Sequence, residues 1–578
     1  MRAAPLAPAF DRRFLDGVER FTCVGTGGIG GKASGLLGAH KLLKKSLGPS
    51  EFPGLRVEIP TLTVLATGVF DAFMERNALR KIALSDLSDE LIAEAFQKAS
   101  FPAEFIGDLR ALIEAVHQPL AVRSSSLLED ALSHPFAGVY ATKMIPNNQP
   151  DADTRFKRLM EAVKFVYAST FFREAKDYIR ATERRIEEEK MAVILQEVVG
   201  TRHDERFYPD LSGVARSYGF YRSGGAKPED GVVNLALGLG KTIVDNGVCW
   251  AYCPAAPHAP PPFASASAQL SGTQSRFWAV NMGAPPAYDP SAETEYLVHA
   301  GLAEAEYDGT LRWTASTYDP ESDRLSPGTG LQGPRALNFA PLLDLEEFPL
   351  NALLRRLLAL CEEETGQKVE IEFAATFEPG EARFGFLQVR PLALSHGFVD
   401  VAPEDLSGEG VLLASESALG NGELKDIRDV VFVKPDRFEA KHTRLIAGEV
   451  ARMNDALVAE KRPYLLIGFG RWGSSDPGLG VPVGWGALCG AKAIVEATRP
   501  DMNVDLSQGS HFFHNISSFG VSYLCVRHDR GYAIDWPWLE RQKTEAETEH
   551  VRHVRLGAPL RVKVDGRTGR GVIARESP

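Results

Sequence analysis

Gly366-Gln-Lys-Val-Glu-Ile-Glu-Phe-Ala374 and Phe384-Gly-Phe-Leu-Gln-Val-Arg-Pro391, joined through Glu378-Pro-Gly-Glu381, decide how this chain is read. Polar and apolar residues alternate along both stretches, and the Pro-Gly pair between them supplies a turn, so the pattern predicts a β-hairpin. The hairpin brings Glu372, Gln388 and Arg390 close together. Hard oxygen ligands suit Mg²⁺, which keeps several waters and binds through one or two carboxylates plus substrate phosphates. A planar guanidinium beside them can grip a phosphoryl group bidentately and offset its charge. Taken alone, the stretch reads more simply as an amphipathic hairpin with its charges facing water, because short motifs recur by chance.

Segments far upstream change that balance. Gly30-Gly-Lys-Ala-Ser-Gly35 opens a helical pattern and places Lys32 at a helix N-terminus, where an anion is favoured. Leu120-Ala-Val-Arg-Ser-Ser-Ser126 is an apolar strand that ends in Arg123 and three hydroxyls, followed by Glu129-Asp130. Ser133-His-Pro-Phe-Ala-Gly138 is a short turn able to close over phosphates. Each piece has a plainer reading, a common glycine pair before a lysine or a rim arginine in solvent. The Gly30 segment also lacks the Gly-x-x-x-x-Gly-Lys-Ser/Thr spacing of a Walker loop.

In this order the segments resemble the ATP-binding domain of the phosphoenolpyruvate synthase and pyruvate phosphate dikinase family, an ATP-grasp fold. The resemblance rests on Gly30-Gly-Lys32, Ala121-Val-Arg-Ser-Ser125, Phe136-Ala-Gly138, Met191 to Gln196, Ser212-Gly-Val214, Gly238-Leu-Gly240, Ile371-Glu-Phe373 and Gln388-Val-Arg-Pro391, and it covers most of residues 20–392. It implies that ATP and Mg²⁺ are bound. Lys32 and Arg123 would contact the phosphates, Glu372 and Gln388 would hold the metal, and Arg390 would aid transfer. The strand around Gln196 would line the adenine pocket, with Phe136, Ala137, Gly138, Gly238 and Gly240 bordering the nucleotide. The chain departs from the family pattern at Asn234 and Lys241, where acidic residues usually flank the Gly-Leu-Gly, and in Gly213 to Gly219, which lacks the usual threonine and proline turn.

At 578 residues the chain has room for three to five domains or subdomains, on a prior of roughly 100–200 residues each. A formal charge of −12 argues against a nucleic-acid partner. Six cysteines are scattered, and Cys249-Trp-Ala-Tyr-Cys253 has no second pair to complete a metal site, so reduced thiols are expected. No signal-peptide core or membrane-length apolar stretch is seen, which predicts a cytoplasmic protein that does not enter a membrane. A homodimer is left open.

The expected fold class is multidomain α/β and α+β, an ATP-grasp fold followed by a smaller swivelling α/β module. The boundaries are a first half over 1–215, a second half with the Mg-ATP site over 216–395, a linker over 396–409, the swivelling module over 410–530 and a tail over 531–578. Asp153 to Lys190 reads as one long helical segment, Met191 to Val199 as a buried strand, and Ala255 to Ser275 as a loop. The basic stretch from His550 to Arg575 reads as a solvated strand pair. Arg390, near a strand end, reads as a charge whose removal spares the fold.

In the C-terminal part, Gln508-Gly-Ser-His511 precedes an apolar helical run, which puts an imidazole at a helix N-terminus. Neutral imidazole is a competent nucleophile near neutral pH. The stretch is similar to the swivelling phosphohistidine domain of the same family, with Ser510-His511 and Gly520-Val521 at the family's spacing. The resemblance implies that His511 accepts a phosphoryl group from ATP, which is split to AMP, and carries it to a second site. The residues after His511 depart from the family, being Phe512, Phe513 and His514. A hydrogen-bonded or metal-binding His511 and His514 pair is the competing reading.

Gly468 to Val483 is dense in glycine around Arg471, Ser474, Ser475 and Asp476, and fits either a phosphate or acceptor site or a structural loop anchored by Trp472. Only 67 residues follow His511, against about 250 for a pyruvate-binding barrel, so that barrel is not expected downstream in this chain. The acceptor is therefore open: a small molecule, a glycan or a protein. The rivals to the phosphohistidine route are direct transfer to a substrate held near 468–483 and a non-catalytic ATP-binding regulatory module.

Overall fold

The structure is a computed structural model describing residues 8–11, 20–48, 51–127, 129, 138–180, 184–219, 227–245, 247–261, 263–392, 399–408, 410–474, 476, 478–500, 520–566 and 568–575. A first sheet runs in the order Phe21–Val24, Leu62–Leu65, Met191–Glu197, Leu120–Ser126, Thr142–Ile145. Its Val122, Val193 and Leu195 face helices Thr67–Arg76, Ala103–Ala115 and Ala152–Ser169, while Val64, Ala192 and Ile194 face helix Gly30–Ser46. The alternation of strand side chains produces this two-sided burial.

The second sheet has the order Trp250–Tyr252, Val232–Ala236, Leu211–Arg216, Val369–Glu378, Glu381–Pro391, Leu55–Glu58. Its edge strand Leu55–Glu58 comes from the first half of the chain and runs parallel to Glu381–Pro391. Leu211–Arg216 belongs to this sheet, so the expected boundary at 215 and 216 cuts a strand. The apolar face, with Val233, Val369, Ile371 and Phe373, packs on helix Leu350–Thr365.

The hairpin itself departs from plain alternation. Glu372 pairs with Gln388 but Phe373 pairs with Phe386, so Leu387 is an extra residue in the second strand, a β-bulge. Regular alternation would have put Gln388 and Arg390 on the same face as Phe384 and Phe386. The bulge turns them over, onto the polar face beside Glu370 and Glu372.

Smaller sheets and short helices fill the region between. The expected loop 255–275 contains helix Ala266–Gly272, and the expected long helix over 153–190 is broken into Ala152–Ser169, Arg173–Arg180 and a short turn at Ile186–Glu188. Within the expected linker, Val401 and Leu406 are buried against Ala414 and Val572.

The C-terminal module is built on a nine-stranded sheet. Four neighbouring strands, Asn421–Val433, Tyr464–Phe469, Ala491–Ala497 and Ser522–Val526, are parallel. Helix Thr443–Ala459 connects the first two of them. The segment expected as a tail is part of this sheet: Val551–Asp565 pairs antiparallel with Asn421–Val433, and Arg570–Arg575 pairs with Val411–Ser415. Val551, Val554, Leu560, Val562 and Val564 are buried, so this pair is not a solvated appendage.

The module packs on the first half of the chain. Helix Arg173–Arg180 lies against the turn Trp485–Leu488, and one apolar cluster runs from the first sheet's helices into the C-terminal sheet. Gly484 and Gly486 permit this approach: a Cβ at Gly484 would lie 2.5 Å from a Glu174 carboxylate oxygen, and one at Gly486 would lie 2.9 Å from the Asp177 Cβ. Arg173 also pairs with Asp455 at 2.9 Å.

Candidate active site

The polar face of the second sheet carries two rungs of charged and polar side chains. On one, Arg216, Glu370 and Arg390 are cross-strand neighbours, and on the next Asn234, Val214, Glu372 and Gln388 are. Glu370, which the sequence reading passed over, is the centre of the first. Arg216 Nε donates to Glu370 Oε2 at 2.6 Å and Arg390 Nε donates to Glu370 Oε1 at 2.9 Å. The side chains of Arg216, Glu370 and Arg390 are only 4%, 0% and 1% exposed. A charge pair this dry stands only if each partner keeps the other. The expectation that Arg390 is a dispensable strand-end charge is therefore overturned. Period-two spacing from Glu372 was the signal that could have found Glu370.

The second rung meets Arg123 from the first sheet. Arg123 Nη2 donates to Gln388 Oε1 at 2.7 Å and to Glu372 Oε2 at 3.2 Å. Its Nη1 donates to Gln196 Oε1 at 3.1 Å and to the Leu387 carbonyl at 3.0 Å. The bulged residue thus presents its carbonyl to the same guanidinium. Gln196 is buried with its amide oxygen on Arg123, on the strand face that also carries Ala121.

Lys32 stands at the other edge of this group. Its ammonium donates to Glu129 Oε1 at 2.6 Å and to Ser124 Oγ at 3.1 Å. Ser125 Oγ accepts from the Ala33 amide at 3.0 Å and donates to the Ile29 carbonyl at 2.8 Å, tying the helix start to the strand of Arg123. Gly30, at φ +77, lets the backbones meet, since a Cβ there would lie 1.7 Å from the Ser125 carbonyl oxygen. Glu189, buried nearby, is pushed up to about 7 by loss of solvent and by the Glu129 charge, with Ser126 pulling it back.

Asn234 is fully buried on the rung of Glu372, and its carboxamide has no hydrogen-bond partner among the described residues. Lys241 pairs with Asp245 at 3.1 Å and lies 3.8 Å from Glu293. Gly238 has φ +78 and accepts a hydrogen bond on its carbonyl from Ser212 Oγ at 2.6 Å. Gly138 is also left-handed, at φ +71. Phe136, Ala137, His511 and His514 lie outside the described residues.

The 468–483 loop is anchored as one of its two readings expected: Trp472 is buried under Gly468 and donates from its indole to the Val495 carbonyl at 3.1 Å. Burial pushes the Cys249 thiol up, and the Arg471 and Arg216 guanidinium groups pull it back. The cysteines among the described residues are free thiols, as expected.

The arrangement fits Mg²⁺ with a triphosphate. Glu372 Oε2 and Gln388 Oε1 converge on one donor atom of Arg123, so the two oxygens already face a single positive group. Among the described residues no cluster of three or more His, Cys, Asp or Glu side chains forms a closed metal cage. A magnesium ion bound through few protein oxygens and substrate phosphates needs no such cage. Among the described residues no helix is long and apolar enough to cross a membrane.

No curated protein matches the chain. Residues 27–257 match the family described as the pyruvate phosphate dikinase, AMP/ATP-binding domain. The match includes Lys32, Arg123, Gln196 and the Gly238–Gly240 turn, and the hairpin with Glu372, Gln388 and Arg390 follows it. Over residues 27–257, less than half of its length, the chain is similar to the pyruvate phosphate dikinase AMP/ATP-binding family, and it carries that stretch on a mixed α/β fold.

Proposed function

We propose that the chain is an ATP-dependent phosphotransferase of the phosphoenolpyruvate synthase type, which moves phosphate from ATP through His511 to an acceptor. The observation that supports this reading is the convergence of Arg123, Glu372 and Gln388 from two sheets at one point, next to a segment matched by an ATP-binding family. Glu372 and Gln388 would hold Mg²⁺, which when bound would offset the charge of the phosphates. Arg123 and Lys32 exchange their carboxylate partners for phosphate oxygens, a charge-assisted contact of the same kind. Arg390 acts through Glu370, keeping the rung beside Glu372 in place. An imidazole nitrogen of His511 attacks the β-phosphorus, the bond from that phosphorus to the α-phosphate oxygen breaks and AMP leaves; the terminal phosphate of the pyrophosphoryl-histidine then passes to water or inorganic phosphate, which leaves phosphohistidine.

A second reading, direct transfer to an acceptor held near 468–483 with His511 as general base, is favoured by one observation. The C-terminal module is packed on helix Arg173–Arg180 and shares one apolar cluster with the first sheet's helices, an arrangement suited to a fixed rather than a travelling module. The nucleotide product separates the readings. Incubation with β-labelled ATP should yield AMP and an acid-labile, alkali-stable label that is lost in His511→Ala. ADP with no protein label supports direct transfer, and ATP bound but never consumed supports a regulatory module.

A further inference from the structure

The Gly238-Leu-Gly240 turn folds back onto the polar face of the second sheet. A Cβ at Gly238 would lie 2.6 Å from the Trp278 carbonyl oxygen, and the Leu239 amide donates to that same oxygen at 2.9 Å. Together with the Ser212 hydroxyl on the Gly238 carbonyl, these contacts fix the turn over Ser212. Ser212 is two residues from Val214, the cross-strand neighbour of Glu372. The short helix Lys241–Val244 leaves from this turn.

Lys241 is therefore delivered to the edge of the candidate cleft, and its surroundings tie it to the opposite sheet. The Lys241 side chain is 17% exposed, with its ammonium 3.1 Å from Asp245 and 3.8 Å from Glu293. The segment that carries Glu293 is tied to the strand paired with that of Arg123 through Lys143, which pairs with Glu295 at 2.6 Å and donates to the Pro290 carbonyl at 2.9 Å. The 3.8 Å approach is too long for a hydrogen bond, so Glu293 holds the ammonium by charge alone. An ammonium has three donors, and a compact cation on a flexible stem can re-aim them with little rearrangement of the backbone. The Glu293 side chain is 42% exposed, so water takes over its charge when the cation leaves. Arg123 on Glu372 and Lys32 on Glu129 show the same pattern, a cleft cation resting on a carboxylate.

We propose that Lys241 is a further nucleotide-contacting residue, which leaves Glu293 when ATP enters and places its ammonium on the terminal phosphates. The proposal rests on reading this cleft as the ATP site. Glu293 then acts as a holder that competes with the nucleotide for the cation.

Calorimetric titration of the full chain with Mg·ATP and with AMP tests this, using wild type, Lys241→Met, Lys241→Gln and Glu293→Gln, each checked for an unchanged melting curve. Lys241→Met and Lys241→Gln should weaken ATP binding by about 10- to 30-fold while AMP binding shifts by no more than about twofold. Glu293→Gln should strengthen ATP binding by about 3- to 10-fold, because the competitor has lost its charge. A purely structural clasp predicts instead that all three variants change ATP and AMP binding in the same direction. Wild-type ATP affinity in Lys241→Met, or weaker ATP binding in Glu293→Gln, overturns the role of Lys241 alone. Failure of the wild-type chain to bind Mg·ATP overturns the cleft reading and this proposal with it.

Discussion

Adjacent rungs of one sheet carry two arginine–carboxylate clusters built for different ends. Arg216, Glu370 and Arg390 form a buried triad, from which Arg390 Nη2 also reaches to 3.8 Å of Glu372 Oε1, while Arg123 and Glu372, one rung away, are 13% and 15% exposed at their side chains. The buried cluster has no room to exchange partners, and losing a member strands a charge in low dielectric. In the partly open one, a carboxylate and two amide oxygens share a single guanidinium that a phosphate could draw away. Similar residue types are thus locked together or left exchangeable according to solvent access.

The sharpest way to break this comparison is Arg390→Ala. It removes one of the two guanidinium groups on buried Glu370, and the cost should be about 3–5 kcal/mol of folding stability. Urea denaturation measures it, and a loss below about 1 kcal/mol would place Arg390 with the exchangeable group. A triple change, Arg216→Met, Glu370→Leu and Arg390→Met, should recover much of that loss, because a dry ion cluster is often no more stable than apolar residues of similar volume. Arg123→Ala should behave oppositely. Its stability cost should stay near 1–2 kcal/mol, roughly the worth of a charged hydrogen bond. Binding of Mg·ATP, read by calorimetry, should weaken by about 10- to 100-fold. Equal losses of stability and binding in Arg123→Ala would erase the distinction.

Glu372→Gln sharpens the comparison further, because it removes charge and keeps shape. The variant should melt close to wild type, since Gln can still accept from Arg123. Affinity for Mn²⁺ in the presence of ATP, followed by electron paramagnetic resonance, should fall by about tenfold as a charged hard ligand becomes neutral. Unchanged Mn²⁺ binding would remove Glu372 from the metal.

The two clusters were unequally legible. Glu372, Gln388 and Arg390 stand out because a Pro-Gly turn and two alternating strands advertise a hairpin, and Arg123 stands out at the end of an apolar run. The bulge at Leu387 left no trace, since Phe-Leu-Gln-Val-Arg reads as unbroken alternation, yet only that extra residue puts Gln388 and Arg390 on the polar face. Glu370 was passed over because a charged residue on a half-buried strand looks solvated until its partners on other strands are known. The same limit cut off the C-terminal strands. Val551–Asp565 pairs with Asn421–Val433 across more than a hundred residues, and local pattern carries no information on such a partner. Apolar runs such as Val430-Val-Phe-Val433 and Leu465-Leu-Ile-Gly468 were legible because burial on both faces needs no partner to be recognised.

A third kind of buried charge completes the series, a carboxyl set against a backbone amide. Glu174, under the turn that joins the C-terminal module to helix Arg173–Arg180, is pushed up to about 7, chiefly by burial, with the Trp485 backbone pulling it back and Asp89, Asp177 and Glu293 adding to the rise. An ordinary glutamate titrates near 4.3 when unfolded, so between about pH 4.3 and 7 the native chain holds a proton that the unfolded chain has lost. Stability must therefore fall as pH rises through that window and level off above it. Allowing for solvent at the open side of the turn, the expected change is about 1–2 kcal/mol, smaller than that for Arg390→Ala. Glu174→Gln has no charge to bury, so it should flatten the profile by roughly a third; Glu189 and Asp210, each also pushed up to about 7, together with Asp89 and Asp177, raised by burial, contribute to the remainder. Denaturation of the full chain at pH 5 and pH 8 reads the difference. An equal pH dependence in wild type and Glu174→Gln would show that this carboxyl is ionised in the docked module, and that the turn tolerates a charge with no cation beside it.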